Sequence, residues 1–170
     1  MENEKRLTEK ERLRYSINRF DHYFESVNNK AAVYLAMNTF LLGGIITGYI
    51  SVQEHVCQFR TIFNVLLTIE MLLGITGLLI ITAASIPYFS KDSDSIYYFG
   101  GIGSMDKEKF FECSKNLSKK AEVQDLRNQV YTLSKGLNMK FVRLKISGWL
   151  IFSQFVLLAL IIIILIINKF

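Results

Sequence analysis

Long apolar blocks and charged stretches succeed one another along this chain with little mixing. Three blocks, residues 31–50, 62–86 and 148–167, hold most of the apolar side chains. Each reaches about 20 residues, which at about 1.5 Å rise per residue matches the roughly 30 Å hydrocarbon core of a bilayer. Buried helices of a soluble bundle usually show a polar stripe, and these blocks show almost none. The pattern predicts an all-α membrane protein with two to three transmembrane helices, three being favoured. A cleaved signal peptide does not explain the first block, which begins only after thirty residues rich in charge and precedes no small-residue cleavage pattern.

Between the blocks the spacing of apolar residues changes from continuous to periodic. In 6–28, Leu13, Ile17, Phe20, Phe24 and Val27 recur at steps of three and four and align on one helical face, with charges opposite. Those charges are mixed in sign, which favours packing on another cytoplasmic helix over lying on the membrane. Pro87 supplies a helix stop, and 90–103, with Gly100, Gly101 and Gly103, reads as a turn-rich connector. A short helix is expected from Asp106, capped by Ser104 or Asp106, with Glu108 in its first turn. Over 121–145, Val123, Leu126, Val130, Leu133 and Leu137 form a heptad pattern, and Leu144 falls on the same phase. This stripe can pack on the N-terminal helix or on a second copy of the chain. Only Ser147-Gly148 offers a bend before the third block, so a continuous helix can carry movement into the membrane. The expected organisation is a cytoplasmic amphipathic helix at 1–30, spans at 31–50, 62–86 and 148–167, an external loop at 51–61 and a cytoplasmic helical segment at 87–147.

Charge sets the orientation. Of the 20 Lys and Arg residues, seven precede the first block, eleven lie between the second and third, and only Arg60 sits in the first loop. The positive-inside rule then places the N-terminus and 87–147 in the cytoplasm, and leaves the tail Asn168-Lys169-Phe170 outside. Tyr49 at the outer boundary, with Tyr88 and Trp149 at the inner one, agrees with that layout. The net charge of +5 resides mostly in the cytoplasmic segment. Anionic lipid or an anionic ligand such as a nucleotide phosphate accounts for it, and nucleic acid is not required. Cys57 and Cys113 fall on opposite predicted sides and cannot pair within one chain.

No catalytic constellation emerges, so the chain is not expected to be an enzyme. His22 and His55 fall on different sides, no metal-ligand cluster is present, and 100–103 lacks the Lys-Ser or Lys-Thr of a phosphate-binding loop. Polar residues within the blocks carry more information, because each must find a partner or reach water. Asn38 and Gln154 both lie roughly 10 Å from the inner boundary by helical rise and are placed to meet in a hydrogen bond worth on the order of 1 kcal/mol. Gly44 and Gly48 form a GxxxG pair suited to self-association, though such pairs are common in apolar helices. Gly74 and Gly77 open a second close-approach surface. Glu70 lies about 7 to 8 Å from the outer boundary, from where it either snorkels to the interface or lines a watery path in an oligomer.

Three stretches carry a resemblance to a known family. They are RFDHYFESVNNKAAVYLAMNTFLLGG (19–44), where a charged helix enters the first span through Asn29, Lys30 and Ala31; SIYYFGGIGSMDKEKF (95–110); and DLRNQVYTLSKGLNMKFVRL (125–144). In these the chain resembles the small transmembrane effectors of the bacterial Pycsar anti-phage systems. The resemblance implies an effector in the bacterial inner membrane, responding to a cyclic pyrimidine nucleotide (cyclic UMP or cyclic CMP) made by a partner nucleotide cyclase. It further implies membrane impairment and abortive infection. The chain has no room for a separate β-roll that would bind the nucleotide, so the ligand must engage the helical cytoplasmic part, within one chain or across a homo-oligomer. Candidate phosphate ligands are Lys120, Arg127, Lys135, Lys140 and Arg143, with a base stacked on Tyr97, Tyr98 or Tyr131. The competing reading is a constitutive membrane anchor or scaffold for a cytoplasmic protein.

Overall fold

The computed structural model describes residues 8–54, 56–86 and 95–169. Pro87, Tyr88, His55, Phe170 and the first part of the 90–103 connector lie outside the described residues. Five helices account for nearly all of the rest: α1 (Glu9–Val52), α2 (Arg60–Ser85), α3 (Phe99–Gly103), α4 (Lys107–Lys115) and α5 (Lys119–Lys169). No strand occurs among the described residues. They form two compact units, a polar unit from Met1–Ser26 and Pro87–Met139 and a span unit from Val27–Ile86 and Lys140–Phe170. Three helices, α1, α2 and α5, are long and apolar enough to cross a membrane, and the chain is a membrane protein.

Helix α1 starts on a capping box. The Thr8 hydroxyl accepts the Glu11 amide at 3.4 Å, while the Glu11 carboxylate accepts the Thr8 amide at 2.7 Å. Asn28, Asn29 and Lys30 contain no breaker, so the amphipathic helix and the first span are one helix. The three-and-four spacing that begins at Leu13 continues through Val27, Ala31, Asn38, Leu41 and Ile45, all five buried. Helix α2 buries Phe63, Leu67, Glu70, Gly74, Gly77, Ile81 and Ala84, an alternation of four and three that repeats every seven residues. Its last residue precedes Ile86, which is extended as the residue before a proline must be.

Helix α5 begins where the Ser118 hydroxyl accepts the Ala121 amide at 3.1 Å. It then runs through Ser147 and Gly148 without interruption. Leu126, Lys140, Ser147, Gln154 and Ile161 are buried positions on one seven-residue phase. Such a repeat on all three long helices is the signature of knobs-into-holes packing. In the span unit, Ile45, Val56, Phe63, Leu67 and Ile161 form one apolar cluster. Next to it, Asn168 at the end of α5 accepts the amides of Cys57 and Gln58 and donates to the Gln58 carbonyl. The end of α5 therefore lies with the α1–α2 loop, as three successive traversals require.

One local expectation is sharpened and one corrected. The end of the turn-rich connector, 99–103, is a helical turn: the Ile102 amide donates to the Tyr98 carbonyl at 2.9 Å, and Gly100 lies under the Tyr98 ring, where a Cβ would come within 2.6 Å. At α4 neither expected cap forms. Asp106 holds the N-cap position without a side-chain hydrogen bond, and the Ser104 hydroxyl donates back to Gly101 in α3.

Candidate functional site

Within the polar unit, Glu122 in the first turn of α5 gathers three partners. Lys10 reaches it at 2.6 Å, Arg14 at 3.3 Å, and the Tyr97 hydroxyl donates to it at 2.6 Å. The hydrogen bond from Lys10, with that from Tyr97, holds the Glu122 carboxyl below its ordinary range. Hydrogen bonding to the carboxylate holds the Tyr97 hydroxyl above its own. A second tie joins Arg127 to Glu9 at 2.7 Å, and the Ile96 amide donates to Asp125 at 3.1 Å. Because the Glu122 pKa is lowered from 4.5, its stabilisation is present above that pH and is lost as the pH falls through the lowered folded-state value. Glu122→Gln should therefore be less stable at neutral pH yet lose less stability than the parent below pH 4.5. Acid titration followed by near-ultraviolet circular dichroism reads this, and equal slopes would mean that the clamp is not what titrates.

Two cavities open in this unit. One, of about 640 Å³, is lined by Ser95, Glu112, Cys113, Asn116, Asp125 and Asn128 among others, with no cationic side chain among the described residues that line it. Its two carboxylates repel a phosphate. The other, of about 650 Å³, is lined by Arg14, Ile17, Asn18, Asp21, Tyr97, Tyr98, Phe99, Leu126, Gln129 and Leu133. It combines aromatic faces and amides with a guanidinium and one carboxylate, Asp21. The buried Tyr98 hydroxyl has no hydrogen-bond partner, and Tyr98 packs on Phe99 with ring centroids 4.9 Å apart.

The residues expected to hold a ligand divide. Tyr97 and Tyr98 line the second cavity, whereas Arg127 pairs with Glu9 and Lys135 lies over the exposed Tyr131 ring at 5.4 Å. Neither Lys135 nor Tyr131 lines either of these two cavities, and Lys120 is an exposed residue of the first turn of α5. Arg14, in the amphipathic stretch of α1, was not among the expected ligands. Its position one turn before Asn18 and two turns before Asp21 on α1 is the kind of placement that a count of basic residues near the last span overlooks.

Lys140 and Arg143 belong to the span unit and do different work. Helix α2 has no basic residue in its last turn, and its terminal carbonyls concentrate negative charge. Lys140, buried at 7% exposure, donates to the Ala84 carbonyl at 2.8 Å and to Asn28 at 3.3 Å; Arg143 donates to the Ala83 carbonyl at 2.6 Å. Both cations thus cap α2.

Deeper in the unit, Asn38, Glu70 and Gln154 have no exposed surface. The expected Asn38–Gln154 hydrogen bond is absent. Asn38 Nδ2 donates instead to the Gly74 carbonyl at 3.1 Å, and Gln154 Nε2 lies 2.8 Å from where a Gly74 Cβ would stand. Glycine at 74 lets both amides approach α2. Glu70 does not snorkel: it lies one turn before Gly74 on the packed face of α2, and helical phase turns it inward whatever its depth. Both its oxygens lack partners, as do Asn38 Oδ1 and both polar atoms of Gln154. A charge so placed costs roughly 3 kcal/mol or more on insertion scales. Gly44 and Gly48 face open space, with nothing within 4 Å of a Cβ at either, and border an apolar groove of about 290 Å³ with Phe63, Leu67 and Leu158.

No group of three or more His, Cys, Asp or Glu that could hold a metal occurs among the described residues. No curated protein and no solved structure matches the chain. A family model described as the Pycsar effector protein domain matches residues 12–167, which covers most of all three long helices and of both units. The chain therefore belongs to the Pycsar effector family, as a membrane-embedded effector of anti-phage defence.

Proposed function

We propose that this effector senses a cyclic nucleotide, cyclic UMP or cyclic CMP, made by a partner cyclase, and responds by impairing the inner membrane so that the infected cell dies. In this reading the N-terminus and the polar unit are cytoplasmic, the spans contact lipid and one another in a homo-oligomer, and no catalysis takes place. The single observation behind it is the 650 Å³ cavity that holds Tyr97, Tyr98 and Phe99 together with Arg14. Its volume falls within the range of small-molecule sites. Aromatic faces stack a base, Asn18 and Gln129 offer donors and acceptors to its edge, and Arg14 meets the phosphate. Lys120, Arg127 and Lys135 then contribute long-range attraction rather than direct contact.

Binding shifts the spans only if the nucleotide favours one arrangement of α5 over another. Tyr97 and Arg14 both engage Glu122, so a ligand that takes over either side chain loosens this clamp. That provides the difference between states.

Membrane-potential dye in cells co-expressing the chain and a pyrimidine-nucleotide cyclase tests the reading. Depolarisation should depend on one nucleotide, and Arg14→Ala should raise the nucleotide needed by about tenfold or more, the effect of losing one charge-assisted hydrogen bond. Depolarisation without cyclase, or none with it in cells that insert the chain, overturns the proposal and leaves the anchor or scaffold reading in its place.

A further inference from the structure

Tyr15, Arg19 and Tyr23 stand at steps of four on α1, so they form one row along the helix, outside its apolar stripe. Tyr15 is 59% exposed and Tyr23 38%. The Arg19 guanidinium lies over both rings, 5.9 and 5.5 Å from their centroids, and donates to the Tyr23 hydroxyl. No carboxylate pairs with it among the described residues. Surface tyrosine and arginine held in place by each other are the side chains on which protein contacts concentrate their energy.

The 640 Å³ cavity has the opposite charge. Glu112 and Asp125 line it, and neither a cation nor any residue of α1 does so among the described residues. Gln129 in its wall is buried, at 8% exposure, and makes no hydrogen bond among the described residues. A row on α1 therefore cannot fill this cavity in its own chain, while a neighbouring chain can.

The two surfaces stand at one height. Lys10 pairs with Glu122, 112 residues on. The same step takes Arg14, Ile17 and Asp21 to Leu126, Gln129 and Leu133, which wall the second cavity with them. Helices α1 and α5 thus advance together through the polar unit. At that step residues 15–23 are level with 127–135, the stretch that gives the first cavity Asn128, Gln129 and Thr132. Copies anchored in one membrane share height and direction, so the row of one meets the cavity of the next by lateral approach alone.

We propose that the row of Tyr15, Arg19 and Tyr23 on one copy docks in the cavity of Glu112 and Asp125 on the next. Arg19 then meets Glu112 and the Asp125 oxygen that does not hold the Ile96 amide, and Gln129 gains a partner. Row and cavity are different surfaces, so the contact is head-to-tail and propagates into a ring or an open array. Confinement to a membrane raises the effective concentration of the neighbour, which lets a small patch suffice. The contact rests neither on the nucleotide reading nor on packing between spans.

Cys113 lines the cavity, and His22, exposed beside the row, offers a place for a second thiol. In membranes holding the full chain as Cys57→Ser/His22→Cys, a short bismaleimide should give a ladder of dimers, trimers and higher species on denaturing gels. Adding Cys113→Ser should abolish the ladder. Arg19→Glu should cut its yield by about tenfold or more, and Glu112→Arg in the same chain should restore it. Both positions are exposed, so these changes spare the fold. A ladder that survives Cys113→Ser, a yield unmoved by Arg19→Glu or not restored by Glu112→Arg, or no inter-chain product at all would overturn the contact.

Discussion

Gly74→Leu should lower the stability of the span unit by about 3 kcal/mol, while Gly44→Leu should change it by less than about 0.5 kcal/mol. A Cβ at 74 would stand 2.5 Å from Leu42 Cδ2 and 2.8 Å from Gln154 Nε2. The first atoms of any larger side chain must displace both. Displacing Gln154 disturbs the polar layer, and moving α2 away breaks the Asn38 bond to the Gly74 carbonyl. At Gly44 there is nothing within 4 Å to displace. Thermal unfolding of the two variants in the same detergent measures the contrast. Equal midpoints would mean that α2 does not approach α1 and α5 through its glycines.

Among the basic residues, Lys140→Ala should be the most damaging, at about 2 to 3 kcal/mol, whereas Lys120→Ala and Lys135→Ala should each fall within about 0.5 kcal/mol. The Ala84 carbonyl and the Asn28 amide would lose a charged partner in a place where water is scarce. Lys140→Met separates the contributions, because it keeps the apolar stem and removes only the ammonium. If Lys140→Met matched the parent while Lys140→Ala did not, packing rather than capping would be the role of this residue. A chemical-denaturant series on all four variants decides between the two.

The three spans were legible because length and hydropathy are properties of a segment alone. The heptad stripe was legible for the same reason, and its phase from Leu126 to Leu144 leads on to Ile151 without a break in α5. Of the two readings of Glu70, snorkelling fails because it rests on depth along the span rather than on angle around it. Setting it beside Phe63, Gly77 and Ala84, all seven residues apart, would have turned it inward. The roles of Lys140 and Arg143 were hidden for another reason. Their acceptors are backbone carbonyls 56 and 60 residues away, and a carbonyl leaves no trace in a pattern of side chains. The same holds for Asn38, whose acceptor is the Gly74 carbonyl rather than the Gln154 amide. No spacing marks Arg14 as a ligand, because its partners Tyr97 and Glu122 are more than 80 residues away in sequence.

Seven-residue spacing along α5 has a consequence for how the gene can change. At about 100° per residue, two turns of helix nearly close on themselves, so Leu126, Lys140 and Gln154 share one bearing around the axis. An insertion of one residue at Met139 would swing every later side chain by about 100°, and Gln154 would point at lipid while Leu126 stayed where it was. Seven residues added or removed together would return each side chain to its bearing. Such a change would still slide every later side chain by about 10.5 Å along the axis, so wherever both ends of α5 must keep their neighbours its length is fixed.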